Sequence, residues 1–203
     1  MLNEHSINTG CQNHMDQVQD KRTAILDATL TLISEHGFHG TAMSKVASEA
    51  GVSAGIIYHY FDSKDDLIDE LYITVKRDSA KAMLENYDAD QPLRAQIRQI
   101  WGNIFRYFIK HSRESAFLEQ YTNSPYYRPQ IDAEVSEYYM PVVGCFERAQ
   151  QEMIIKDFPE AVITTLTVDV ASSLAQKQAA GLIDLTDELV EQIIDALWEA
   201  IRQ

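Results

Sequence analysis

Groups whose type and spacing would permit chemistry are few. His36 and His39 flank a predicted turn, but no third metal ligand stands at a matching spacing, and both read as solvated side chains. The carboxylate pairs Asp65-Asp66 and Asp187-Glu188 fall in expected first turns of helices, where the helix dipole accounts for them without acid or base catalysis. Cys145 reads as an inert core thiol and Cys11 lies near the chain start. There is no Gly-rich phosphate loop, no Cys-x-x-Cys and no His-Glu-x-x-His. The expectation is a protein that is not an enzyme and uses neither cofactor nor metal.

One stretch has a spacing with a mechanism behind it. Met43, Val46, Ala47 and Ala50 recur at i, i+3, i+4 and i+7 and mark a short helix that Thr41 can cap. Gly51 stops it, and Ser53 offers a cap for a second short helix, about Ala54 to Tyr60. Two short helices joined through Ala50-Gly51-Val52-Ser53 predict a helix-turn-helix. The glycine permits the turn, Val52 fills the angle, and the second helix is left to enter a major groove. His59 and Tyr60 then become candidates for base or backbone contact. The helix start at Thr41 and Ser44 suits a phosphate as well as a cap.

The charge balance opposes such a partner: 17 basic residues stand against 31 acidic ones, a net of −14. Lys21, Arg22, Lys45 and Lys64 nevertheless lie on or beside the motif, and acidic residues can face away. A small phosphate contribution and a shallow salt dependence are expected. The rival reading is a helical small-molecule-binding or interaction protein with little DNA affinity.

The rest of the chain must position this motif. Its 203 residues are 45% hydrophobic and 24% charged, an ordinary globular composition, and two cysteines exclude a disulfide scaffold. No apolar run reaches the roughly 18 residues a membrane span needs, and residues 1–19 hold neither an apolar core nor a Lys or Arg. A cytoplasmic protein without membrane contact is expected, with 1–19 as a mobile tail.

Helical spacing begins near Lys21 with Ile25, Ala28, Leu32 and Ile33, and Gly37 closes it. Ser63 and Asp66 start a long fourth helix. Leu93, Ile97, Ile100, Trp101, Ile104, Phe105 and Phe108 form a further stripe. Pro125 and Pro129 bracket a turn, and Pro141 should kink the helix that runs from Ile131 to Met153. The fold class is all-α, about nine helices: a three-helix DNA-binding domain over 20–67 and a larger ligand-binding and dimerisation body over 68–203.

Apolar residues point all round between Ala161 and Ala175, and the stripe from Leu189 to Ile201 is unusually wide. A partner subunit is expected to cover that excess through Val170, Leu174, Ile194 and Trp198. Trp101, Phe105, Phe108, Phe117, Tyr121, Tyr138 and Phe146, with Tyr139 beside them, suggest an aromatic pocket between helices. Glu119, Tyr121, Asn123, Glu137 and Tyr138 would be its polar handles. An anionic wall of this kind favours a small apolar or aromatic effector, cationic in charge.

The stretch from Ala42 to Leu67 closely resembles the N-terminal domain of the tetracycline-repressor (TetR) family of bacterial transcription regulators. Gly37-Phe38, Val46-Ala47, Ala50-Gly51-Val52-Ser53, Gly55, Tyr58, Phe61 and Lys64 all match the family pattern. The resemblance implies a homodimeric regulator, most simply a repressor, whose first three helices bind a palindromic double-stranded operator. Its fourth helix would link to a ligand-binding body and its last two would form the dimer. It also implies phosphate contacts from Tyr58 and Lys64. Ala54 and Ile56 depart from the polar or basic residues that many members carry, so readout should rest on thymine methyl groups, His59 and DNA shape.

Overall fold

The structure, a computed structural model, describes residues 20–203 in full and, over 5–19, only the backbone of the first helix. Of the tail expected over 1–19, residues 1–4 and the side chains up to residue 19, that of Cys11 included, lie outside the described residues, and the backbone of 5–19 is the first part of α1. The helices are α1 (His5–Gly40), α2 (Met43–Glu49), α3 (Ala54–Tyr60), α4 (Lys64–Met83), α5 (Leu93–Lys110), α6 (Ser112–Thr122), α7 (Pro129–Ser136), α8 (Met140–Gln151), α9 (Glu160–Thr164), α10 (Val170–Ala179) and α11 (Asp187–Ile201). A 3-10 turn at Glu137–Tyr139 joins α7 to α8, and a π-helical turn at Thr165–Asp169 joins α9 to α10. Counting each joined pair as one leaves nine helices among the described residues. The only strand-like pairing there is one isolated bridge between Ile155 and Arg202.

Two compact units divide the chain. The first holds residues up to Tyr72 together with Ser124–Tyr126, and the second holds Ile73–Asn123 and Tyr127–Gln203. In the first unit Ile25, Ile33, Val46, Ile57, Phe61, Leu67 and Ile68 are buried together from four helices. α1 is interrupted at Gly37, whose φ of 69° is open to glycine and costly for other residues. Ser63 starts α4 as expected: its Oγ accepts from the Asp66 N–H at 3.1 Å, while Asp66 Oδ2 accepts from the Asp62 N–H at 3.0 Å.

In the second unit α5 is the central element and packs against α6, α8, α10 and α11. Ile97, Ile100, Trp101, Ile104, Phe105 and Phe108, at i, i+3, i+4, i+7, i+8 and i+11, are all buried. Pro141 sits in the first turn of α8, directly after the 3-10 turn. It has no N–H to return to the preceding turn, and the helix tightens there rather than running through. Thr186 caps α11 by accepting from the Leu189 N–H at 3.2 Å.

Ile194 and Trp198 correct the sequence reading. They are 1% and 5% exposed within this single chain, buried against its own core, and so have no surface left for a partner. The non-helical segment after α8 helps to enclose that end of α11: Lys156 N–H donates to Ile201 O at 2.7 Å and Gln203 N–H to Ile154 O at 3.1 Å. Val170 and Leu174 are only half buried.

Candidate nucleic-acid interface and ligand cavity

The turn between α2 and α3 is built by backbone hydrogen bonds. Gly51 adopts φ 65°, its N–H donates to Ser48 O at 3.3 Å, and the Val52 N–H donates to Ala47 O at 2.9 Å. Two of the orphan carbonyls at the end of α2 are thereby satisfied, and the positive φ is the reason a glycine stands there. α3 is then fixed by the burial of Ile57, with Phe61 directly after it.

That anchoring turns one face of α3 outward. Ala54, Gly55, Tyr58 and His59 are exposed, Tyr58 to 55%, and Ser44, Lys45 and Ser53 are exposed nearby. Ile56, Tyr60 and Lys64 are half buried, and the rings of His59 and Tyr60 meet edge to face at 5.2 Å. The face holds no Arg, Asn or Gln, the side chains that read base edges in bidentate fashion.

Thr41 is a correction. Ala42, not Thr41, occupies the cap of α2, and Thr41 is 1% exposed with its Oγ1 donating to Gly37 O at 2.9 Å. Past the break at Gly37 the Thr41 N–H turns to Phe38 O at 3.4 Å, and it is the threonine hydroxyl that reaches the Gly37 carbonyl. Ser53 does cap α3 by position, though without a side-chain hydrogen bond.

Arg22, Lys45 and Lys64, three of the four cations beside the motif, have internal partners. Arg22 pairs with Glu70 and lies 5.5 Å from the centre of the Phe61 ring. Lys45 Nζ donates to Gly40 O at 3.0 Å. Lys64 Nζ donates to Phe38 O at 2.6 Å and stands 5.6 Å from the centre of the Tyr126 ring.

The second unit contains a cavity of about 840 Å³. Phe108 and Phe146 line it, as the sequence suggests. Trp101, Phe105, Phe117 and Tyr121 do not; they are fully buried side chains of the core, because α5 and α6 are covered on more than one side. Tyr138 does not line it either, and its neighbour Tyr139 does. Of the expected handles none lines the cavity, and Glu119 and Glu137 are exposed.

The polar groups that do line it include Lys76 and Ser79 on α4, Asp132 on α7, Tyr139, and Thr167 in the π turn. Lys76 Nζ stands 4.6 Å from the centre of the Tyr139 ring. Ser79 Oγ lies 2.5 Å from Tyr139 Oη, and both hydroxyls reach Lys76 O, at 2.9 and 2.8 Å. Burial holds the Lys76 ammonium below its ordinary pKa against the opposing pull of the Asp132 carboxylate. Burial likewise pushes the Tyr139 phenol up to about 12. A half-buried lysine on a helix carries no periodic signal, and sequence reasoning had no means of singling it out.

Cys145 is fully buried, and its Sγ donates to Gln96 Oε1 at 3.5 Å. Among the described residues no cluster of three or more His, Cys, Asp or Glu side chains is placed to hold a metal ion, and no helix is long and apolar enough to cross a membrane.

Comparison with known proteins agrees with this architecture. Residues 92–202 match the family described as "Tetracyclin repressor-like, C-terminal domain", and residues 25–71 match "Bacterial regulatory proteins, tetR family". An HTH-type transcriptional regulator of Haemophilus influenzae is 28% identical over 184 residues, 91% of this chain and 97% of the relative. A TetR family transcription regulator from Marinobacter aquaeolei superimposes with a TM-score of 0.88 at 25% identity, covering 93% of this chain and 99% of that one. A TetR family protein from Vibrio parahaemolyticus gives a TM-score of 0.76 at 32% identity over 90% and 99% of the two chains. With both halves matched and the helix-turn-helix in place, the chain belongs to the TetR family: it is a transcriptional regulator with a helix-turn-helix DNA-binding domain, not an enzyme.

Proposed function

We propose that the chain acts as a homodimeric repressor that holds a palindromic double-stranded operator and leaves it when a small apolar or aromatic molecule enters the cavity. The observation that carries this reading is the outward face of α3, where Ala54, Gly55, Tyr58 and His59 meet solvent while Ile57 is spent on the core. Tyr58 and the exposed Ser44, Lys45 and Ser53 are suited to phosphate oxygens, and these contacts position without specifying sequence. Ala54 and Ile56 suit thymine methyl groups, which favours an A·T-rich operator core.

Dimerisation is assigned to the half-buried stripe Leu166, Val170 and Leu174, with the exposed Val162 at its start and Leu189 and Ile193 on α11. Leu166, Val170, Leu174, Leu189 and Ile193 pack against the chain's own core but are only partly covered by it. Effector response is assigned to a population shift through α4, which begins with Lys64 in the first unit and carries Lys76 and Ser79 to the cavity.

The test is a footprint of the purified protein on the DNA upstream of its own coding sequence, at two salt concentrations and with candidate effectors. A protected palindrome that an effector releases is the expected result. Absence of any sequence-dependent, salt-sensitive binding would instead favour a helical small-molecule-binding protein, a reading that the net −3 of residues 20–67 keeps in play.

A further inference from the structure

The cavity is polarised. Lys76, Ser79, Tyr139 and Asp132 gather at one end, and Met83, Ile104, Phe108, Phe146 and Ile163 supply apolar wall. Glu147 lies eight residues along the chain from Tyr139, about 12 Å by helical rise, and with Glu160 is exposed at the rim. Carboxylates at a wet rim are screened by water more strongly than charge among the half-buried Lys76, Asp132 and Tyr139.

From this arrangement we infer that the cavity takes an amphiphilic organic carboxylate, its apolar body against Phe108, Phe146 and Ile163 and its carboxylate group at Lys76. The inference rests on the reading of this cavity as the effector site and names the chemistry of its guest. It reverses the cationic preference expected from the sequence.

Ser79 and Tyr139 are positioning residues in this account. Their hydroxyls are spent on the Lys76 carbonyl and on each other, which fixes the turn of α4, and the Tyr139 ring lies against the ammonium. The ammonium, with three N–H donors, is the group that turns to a guest. Asp132 is the resident counter-charge that makes the half-buried lysine tolerable without ligand. It also accepts from Tyr127 Oη at 3.2 Å, so it keeps a partner when the ammonium engages an incoming carboxylate.

The test is calorimetric titration of the full-length protein with matched probes: decanoate, 1-decanol and decyltrimethylammonium, and 2-naphthoate against 2-naphthol. At least one acid should bind about tenfold or more tightly than its alcohol and than the cation, the gain of a charge-assisted hydrogen bond. Lys76→Met should abolish that preference and leave the alcohol within about twofold, Tyr139→Phe should reduce the preference only in part, and Asp132→Asn should tighten the acid. An alcohol or the cation binding as tightly as the acid overturns the carboxylate inference but leaves the effector cavity standing. So does a preference that survives Lys76→Met. If that variant does not fold, the ranking on the natural protein and the direction of the Asp132→Asn change decide the matter. Failure of every probe to bind overturns both the inference and the effector reading.

Discussion

The ammonium of Lys64 donates to the carbonyl oxygen of Phe38 at 2.6 Å, tying the first residue of α4 to the end of α1 immediately after the Gly37 break. A side chain that resembles a phosphate donor is thus also a structural tie within its own unit. Lys64→Ala should lower stability by about 1 kcal/mol and weaken binding to a footprinted duplex. Tyr58→Phe, at an exposed position, should weaken binding to all duplexes alike with an unchanged thermal midpoint. Paired thermal melts and DNA titrations separate the two; unchanged duplex binding by Tyr58→Phe would remove its assignment as a contact residue.

Gly55 is exposed, and a Cβ built there meets only Ser53 Oγ at 3.9 Å, so nothing inside the chain requires a glycine. Gly55→Ala should raise stability by about 0.5–1 kcal/mol through helix propensity. If α3 enters the groove closely, the same change should reduce operator affinity at least tenfold. A variant that is more stable and binds unchanged would place Gly55 outside the contact face.

Burial separates two kinds of substitution on α9 to α11. Ile194→Asp should cost at least about 3 kcal/mol and leave poorly folded protein, because the charge is forced into the chain's own core. Val170→Glu or Ile193→Glu should leave helicity intact and convert dimer to monomer. Light scattering with circular dichroism reads both. A monodisperse dimer in Val170→Glu and Ile193→Glu alike would move the seam elsewhere.

Met153 holds a φ of 55° after the end of α8, where its N–H donates to Gln150 O and the Ile154 N–H to Ala149 O, each at 2.9 Å. A residue with a Cβ is strained there, and this side chain is 73% exposed and contributes little packing. Met153→Gly should raise the urea midpoint by the equivalent of about 0.5–1 kcal/mol with an unchanged slope.

Much of this architecture was legible from local patterns. The stripe on α5, the Ser63 start, the Thr186 cap and the Gly51 turn each depend on residues a few positions apart, and the structure realises them as the spacing implies. What stayed hidden depends on partners far along the chain. The width of the α11 stripe reads as surplus until one sees the irregular segment Ile154 to Lys156, which has no period, lying against its end. Lys76 looks like any solvated helical lysine until Asp132 and Tyr139, more than fifty residues later, arrive beside it. Thr41 looks like a cap until the chain past the break at Gly37 brings its hydroxyl to the Gly37 carbonyl.

The single π turn at Thr165–Asp169 holds one residue more than an α turn. Before it, Ile163 and Thr164 face the cavity; after it, Ala171 and Ala175 are buried and α10 packs on α5 and α6. Ile163, Thr167, Ala171 and Ala175 fall on one buried line at steps of four, a drift that the wider turn partly absorbs. That surplus residue works as a phase adjuster between two halves of one rod. Losing it would rotate one half by roughly 100° against the other and give the cavity a different lining without altering any residue that lines it. A change of effector in such a chain can therefore come from a one-residue deletion in a helix as readily as from substitutions in the pocket.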